Sequence, residues 1–132
     1  MLELFNQYRH IRRMKISNTV HIHNNCIDSH FHGLIMKDKG VDPVPLLHSL
    51  GEAGMSAMVD IGTHPEDLSR RLQLYESLSS DAPALGFSSG IYPSHAGEKN
   101  VDLLLEQLEE QLAGKTVCAV GECGLDYHWD YA

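Results

Sequence analysis

From Cys26 onward, short apolar runs alternate with apolar positions at helical spacing. The run CIDSHFH predicts a first strand near residues 26 to 32, after which Gly33 breaks the pattern. Pro43 and Pro45 then open a helix carried by Leu46, Leu47, Leu50 and Ala53, and Gly54 marks its stop, as glycine commonly does just past a helix end. SAMVDIG, apolar with a β-branched centre, predicts a second strand near 55 to 62, buried on both faces in the manner of a parallel sheet. Thr63 and Pro65 start a second helix whose first turn holds Glu66 and Asp67, where the helix dipole favours acids. ALGFSSGIYP predicts a third strand near 85 to 92, closed by Pro93. The clearest stripe follows: Val101, Leu104, Leu105, Leu108 and Leu112 share one helical face, with Asn100 positioned to cap its start and Gly114 its end. TVCAVGECGLDYH predicts a fourth strand, near 117 to 123, running into a loop.

Four strands alternating with three helices imply an α/β protein with a parallel sheet over residues 26–132. Residues 1–25 do not join the rhythm; apart from the strand-like VHIHNN they form an unassigned extension.

Composition narrows the partners. A 132-residue chain that is 42% hydrophobic and 21% charged fits one globular domain. Ten Lys plus Arg stand against 18 Asp plus Glu, a net charge of −8, which excludes a bulk basic surface for holding a polyanion. If the substrate is nucleic acid, something other than net charge must bind phosphate, and a bound divalent metal, with carboxylates as its ligands, supplies that charge locally. Cys26, Cys118 and Cys123 are odd in number and lack a C-x-x-C pair, which argues against a secreted disulfide framework and for a reducing, cytoplasmic setting. The opening has Arg9, Arg12 and Arg13 with no apolar run behind them, Glu3 and few serines speak against a transit peptide, and Met14 offers an alternative start. No stretch reaches membrane-spanning length, so no membrane is expected.

The strand period of two puts Asp28, His30 and His32 on one face, with the histidines at the carboxyl end, where barrel enzymes gather their sites. This is a metal face; the plainer alternative is a pair of hydrogen-bonded histidines at a strand edge. His21 and His23 repeat the H-x-H spacing without a preceding apolar strand and serve as a decoy. Glu122, flanked by Gly121 and Gly124, suits a carboxylate bridging two metals, against the plainer reading of a loop acid. His95, on the same rim after the third strand, reads equally as a contact for substrate phosphate or metal and as a solvated loop residue. Asp60 and His64 repeat the theme weakly, and Asp126, Tyr127 and His128 are placed to orient Glu122. Cys118 lies in an apolar strand and Cys123 has no base near it in sequence. No G-x-S-x-G, Lys-bearing phosphate loop or kinase set occurs.

Taken in order, IDSHFHG, GIYPSHA and AVGECGLDYHWD resemble the first half of the TatD family of deoxyribonucleases, within the amidohydrolase-like hydrolases. The resemblance covers residues 26–132, and GECGLDYH is its most specific part. It implies the N-terminal half of a TIM-type (β/α)8 barrel and a site for divalent metal ions, commonly two. Magnesium is expected, with manganese or zinc as alternatives, and the implied reaction is hydrolysis of DNA or another phosphodiester by a metal-activated water attacking phosphorus. His30 and His32 match the paired histidines of one metal, and Glu122 matches the bridging, catalytic glutamate. His95 falls in the substrate-binding G-x-H-P-H-like loop, although Tyr92 stands where that motif has its first histidine. The family's later ligands, two histidines and an aspartate, have no counterpart before Ala132.

A barrel of this type needs about 250 residues, and four strands alone leave two edges and an apolar face uncovered. The expectation is a domain truncated after its fourth strand, or one completed by self-association or a complementary half. Two other functions stay open: another amidohydrolase-like hydrolase acting on an amide, lactone or base, and a catalytically silent product.

Overall fold

Strands form at each of the four apolar runs, and each pairs in parallel with the next. The computed structural model describes residues 26–127. Strands β1 (Cys26–Phe31), β2 (Met55–Asp60), β3 (Ala84–Ser89) and β4 (Ala119–Val120) lie side by side in the order β1-β2-β3-β4. Phe31 lies opposite Asp60, Asp60 opposite Phe87, and Ser89 opposite Val120, so the carboxyl ends share one rim. Sequential parallel strands joined by helical crossovers are the N-terminal part of a TIM-type α/β barrel, as expected. His21, His23 and the rest of residues 1–25 lie outside the described residues, as does His128.

Four helices, not three, cross between the strands: α1 (Gly33–Asp38), α2 (Pro43–Glu52), α3 (Leu68–Leu74) and α4 (Val101–Ala113). Single 3-10 turns cover Pro65–Asp67 and Pro93–His95. The unexpected helix is α1, whose six residues are too few for a helical period to show in the sequence. Gly33, read as a break, is there for close approach: a Cβ on it would run into Tyr75 Oη and Asp60 Oδ2. Asp42 caps α2 through Val44 N–H, with Pro43 at the first helical position.

Helix α4 departs from its reading at both ends and on its face. Asn100 makes no side-chain cap, and Gly114 stays right-handed while Lys115 takes the positive φ of 56°. Leu104 and Leu108 are buried, but Leu105 and Leu112 are exposed. Gln111 replaces them on the inner seam and donates from Nε2 to Pro65 O at 2.8 Å.

Leu47 of α2, Met58 of β2 and Tyr75 just after α3 form the buried centre, packed by Phe31, Val44, Leu85 and Phe87. Each such side chain is worth about 1.5 to 3 kcal/mol on burial. Met58 and Asp60 share a face of β2, so the same layer that buries a methionine also buries a carboxylate. Asp60 accepts from Tyr75 Oη at 2.7 Å and from Gly33 N at 3.3 Å. Burial raises its pKa above the ordinary 3.8, outweighing those hydrogen bonds and the nearby Arg71 charge.

Among the described residues the largest wholly buried side chain is Arg71. Its Nε donates to Asp67 Oδ1 at 2.6 Å, and its two terminal nitrogens donate to Asp60 O at 3.0 Å and Ser88 O at 2.8 Å. One guanidinium therefore ties together the carboxyl ends of β2 and β3. Among the described residues no helix is long and apolar enough to cross a membrane.

Two outcomes follow from the buried polar layer. Arg71→Met strands two carbonyls and Asp67, and should cost roughly 3 to 5 kcal/mol in urea unfolding. A cost under about 0.5 kcal/mol, the size of an ordinary surface change, would reject the clamp. For Asp60, the raised folded pKa means the folded chain holds that proton more tightly. Its contribution is complete below the unfolded value of 3.8 and is lost as pH rises through the folded value. Wild-type stability relative to Asp60→Asn, measured in chelator, should accordingly decline as pH climbs above 3.8. A difference that grows with pH would contradict the burial argument.

Candidate metal centre

Strand β1 runs straight into α1, with His32 as the junction: its carbonyl accepts from Met36 N at 3.0 Å. Its ring is fixed from the other side, where Nδ1 lies 2.9 Å from Ile61 O. A carbonyl only accepts, so Nδ1 carries the proton, and Nε2 is the ring nitrogen left facing outward. His30 Nε2 lies 3.1 Å from that atom, the two rings meeting edge to face at 81°. Asp28 does not join them; its Oδ1 accepts from His30 N at 3.0 Å.

Glu122 arrives from the opposite edge strand. Its Oε2 stands 3.5 Å from His32 Nε2 and 3.9 Å from His30 Nε2. One donor atom from each of His30, His32 and Glu122 lies within 4.8 Å of the others. The side chains are 55%, 25% and 34% exposed, so the cluster opens to solvent.

A chain of hydrogen bonds sets Glu122 in place. Ser88 Oγ accepts from Gly62 N at 3.1 Å and donates to Gly121 O at 2.6 Å. Gly121 N–H donates to Ser89 O, and Glu122 N–H then turns to Gly62 O at 2.6 Å. Gly121 manages this turn at a φ of 152°, which a side chain would oppose. The same turn explains why β4 is shorter than the expected 117–123: once the Glu122 amide bonds Gly62, it has left the β3 ladder. Ser88 and Gly62 thus hold the Glu122 backbone, and sequence reasoning had passed over both. Tyr127, expected to help, is 88% exposed.

The structure gathers the remaining candidates elsewhere. His95 Nδ1 lies 2.6 Å from Glu98 Oε1, and its ring meets that of His64 at 5.0 Å. Glu98 had gone unnoticed; its signal was the three-residue spacing from His95 across a 3-10 turn. Asp60 belongs to the Tyr75 and Arg71 network in the core. Cys26, Cys118 and Cys123 are free and exposed, Cys118 despite its place in an apolar run. A cleft of about 170 Å³, lined by His32, Thr63, His64 and Arg70 among others, reaches from one histidine cluster toward the other.

Parallel βα units with a His-x-His pair ending the first strand and a carboxylate after the fourth define an α/β barrel-type protein with a candidate metal centre. A family model described as TatD related DNase matches residues 27–132, and the chain belongs to that family. It is also similar to a protein of Escherichia coli (strain K12) named uncharacterized metal-dependent hydrolase YjjV. The two are 34% identical over 106 residues, which cover 79% of this chain and 39% of that relative. The chain spans about two fifths of the length of the curated relative it matches.

Ser88 offers a test of how the site is held. Ser88→Ala leaves Gly62 N–H and Gly121 O unpaired, at a cost of roughly 1 to 3 kcal/mol. It should also weaken divalent-metal binding by about 10- to 100-fold, as loss of a supporting hydrogen bond does in metal sites. Urea unfolding reads the first effect and calorimetric titration with metal the second, and unchanged affinity would mean that Glu122 is positioned by something else.

Proposed function

We propose that this chain contributes the first part of a divalent-metal centre that hydrolyses phosphodiester bonds, with DNA as the substrate class. The observation that carries the reading is the convergence of donor atoms from His30, His32 and Glu122 within 4.8 Å. The donor set fits a metal: two imidazoles and one carboxylate suit manganese or zinc at least as well as magnesium, which prefers oxygen. The match to TatD related DNase supports nucleic acid as the substrate.

Bound divalent ions supply Lewis acidity and a water of lowered pKa. The chain's own residues prepare for them. His32 presents the Nε2 lone pair because Nδ1–H is committed to Ile61 O. Glu122 faces both histidines with Oε2 and would hold a metal together with them. Arg70 in the adjoining cleft offers a local cation to an anionic substrate, on a chain whose net charge is −8. His95, on the same rim, is available to substrate phosphate through Nε2. The remaining ligands and the base come, in this reading, from later barrel strands, supplied in the same chain, by a complementary half or by a second copy.

The test is hydrolysis of a labelled DNA strand with magnesium or manganese, with and without chelator. Residues 1–132 alone should bind metal weakly and cleave little. Supplying the later strands should produce chelator-sensitive turnover that Glu122→Ala lowers on the order of a hundredfold or more, the scale on which misplaced reacting groups act. Turnover that survives either chelator or Glu122→Ala would reject the reading.

A further inference from the structure

We propose that His64, His95 and Glu98 form a second cation site on the rim, suited to one zinc-like divalent transition-metal ion and separate from His30, His32 and Glu122. The proposal stands whether or not the first cluster hydrolyses DNA.

One donor atom from each of the three residues lies within 4.8 Å of the others. Glu98 is the centre, with Oε1 2.6 Å from His95 Nδ1 and Oε2 3.8 Å from His64 Nε2. The imidazole planes stand at 81° with centroids 5.0 Å apart, so the rings approach from different directions rather than stacking. Two imidazole nitrogens and one carboxylate oxygen are a three-ligand zinc set that leaves a fourth position open. Magnesium and calcium, which take oxygen ligands, are disfavoured by it.

The residues come from two loops that are already fastened together. Tyr92 N–H donates to Thr63 O at 2.9 Å, one residue before His64 and three before His95. His95 N–H donates to Tyr92 O and Glu98 N–H to His95 O, which sets Glu98 relative to His95. The His64 side chain is only 18% exposed, so its position is held by packing as well as by its loop.

A carboxylate also stands beside the other nitrogen of His64. His64 Nδ1 accepts from Glu66 N–H at a long 3.3 Å. Ligation through Nε2 requires the proton on Nδ1, which would end that contact. Glu66 Oε2, 3.9 Å from the same nitrogen, stands ready to accept it. Ligated histidines commonly donate their other N–H to a carboxylate in this way. Glu66 is therefore a positioning residue for this site. An ion-pair staple between the two loops, with no metal, is the competing account of the same geometry.

The experiment uses the full chain carrying His30→Ala and His32→Ala, which removes the first cluster, and zinc as the titrant in calorimetry. Cobalt serves as an optical probe, with circular dichroism to follow folding. About one equivalent of zinc should remain bound. Adding His95→Ala or Glu98→Gln, both at half-exposed positions, should weaken that binding by about tenfold or more and abolish the cobalt absorption band, and Glu66→Gln should weaken it less. In the chain with His30 and His32 intact, His95→Ala should lower the zinc stoichiometry by one. Absence of zinc binding in the double variant, or affinity indifferent to both His95→Ala and Glu98→Gln, would leave the ion-pair staple and overturn the proposal. Lack of DNA hydrolysis would bear only on the first cluster.

Discussion

The arrangement of the rim depends on one buried cation. Arg71 has almost no contact with solvent, yet it ends on two backbone carbonyls and a carboxylate. An arginine buried this deeply is tolerable only when its donors are matched, and the planar guanidinium fork can satisfy acceptors in fixed directions as an ammonium cannot. Here the acceptors belong to the ends of β2 and β3. The carbonyl it holds on β3 is that of Ser88, whose hydroxyl in turn holds Gly62 and Gly121. The buried charge is thereby linked, through two hydrogen bonds, to the Gly121 carbonyl, in the peptide that leads into Glu122.

Much of this was readable in the chain. The four strands announce themselves because a strand buried on both faces is largely apolar, and SAMVDIG and ALGFSSG are short, mostly apolar runs between turn residues. His30, His32 and Glu122 were legible because a period of two and a pair of flanking glycines are local signals. What escaped the reading was non-local or too short to have a period. Arg71 looks in sequence like any helix-surface arginine beside Arg70; only packing distinguishes the buried one from its exposed neighbour. Ser88 and Ser89 are polar residues in the third strand's run, and nothing local in the sequence shows that both are wholly buried. Leu105 fits the helical stripe, yet it lies on the wrong side of the seam that Gln111 completes.

The two histidine clusters differ in how they are built. In the first, a strand and a distant loop converge, and the histidine that matters most has its tautomer set by a backbone carbonyl. In the second, two neighbouring loops contribute, and the histidine now accepts from a backbone amide. Both need a proton to move before they can hold a metal: the one shared in the 3.1 Å contact of His30 Nε2 with His32 Nε2, and the one His64 must carry on Nδ1 to ligate through Nε2.

The hydrogen bond from Glu122 N–H to Gly62 O has a geometric consequence of its own. Neighbouring strands lie about 4.8 Å apart, so two strands separated by a third stand on the order of 10 Å apart in a flat sheet. Gly62 follows β2 and Glu122 follows β4, with β3 between them, yet their backbones meet at 2.6 Å. The chain can make that contact only by folding both loops over the end of β3. This bond is thus a measure of how the rim is folded: it draws the loop after β4 inward to the loop after β2, across β3, and so carries the carboxylate beyond β4 toward the histidines at the end of β1.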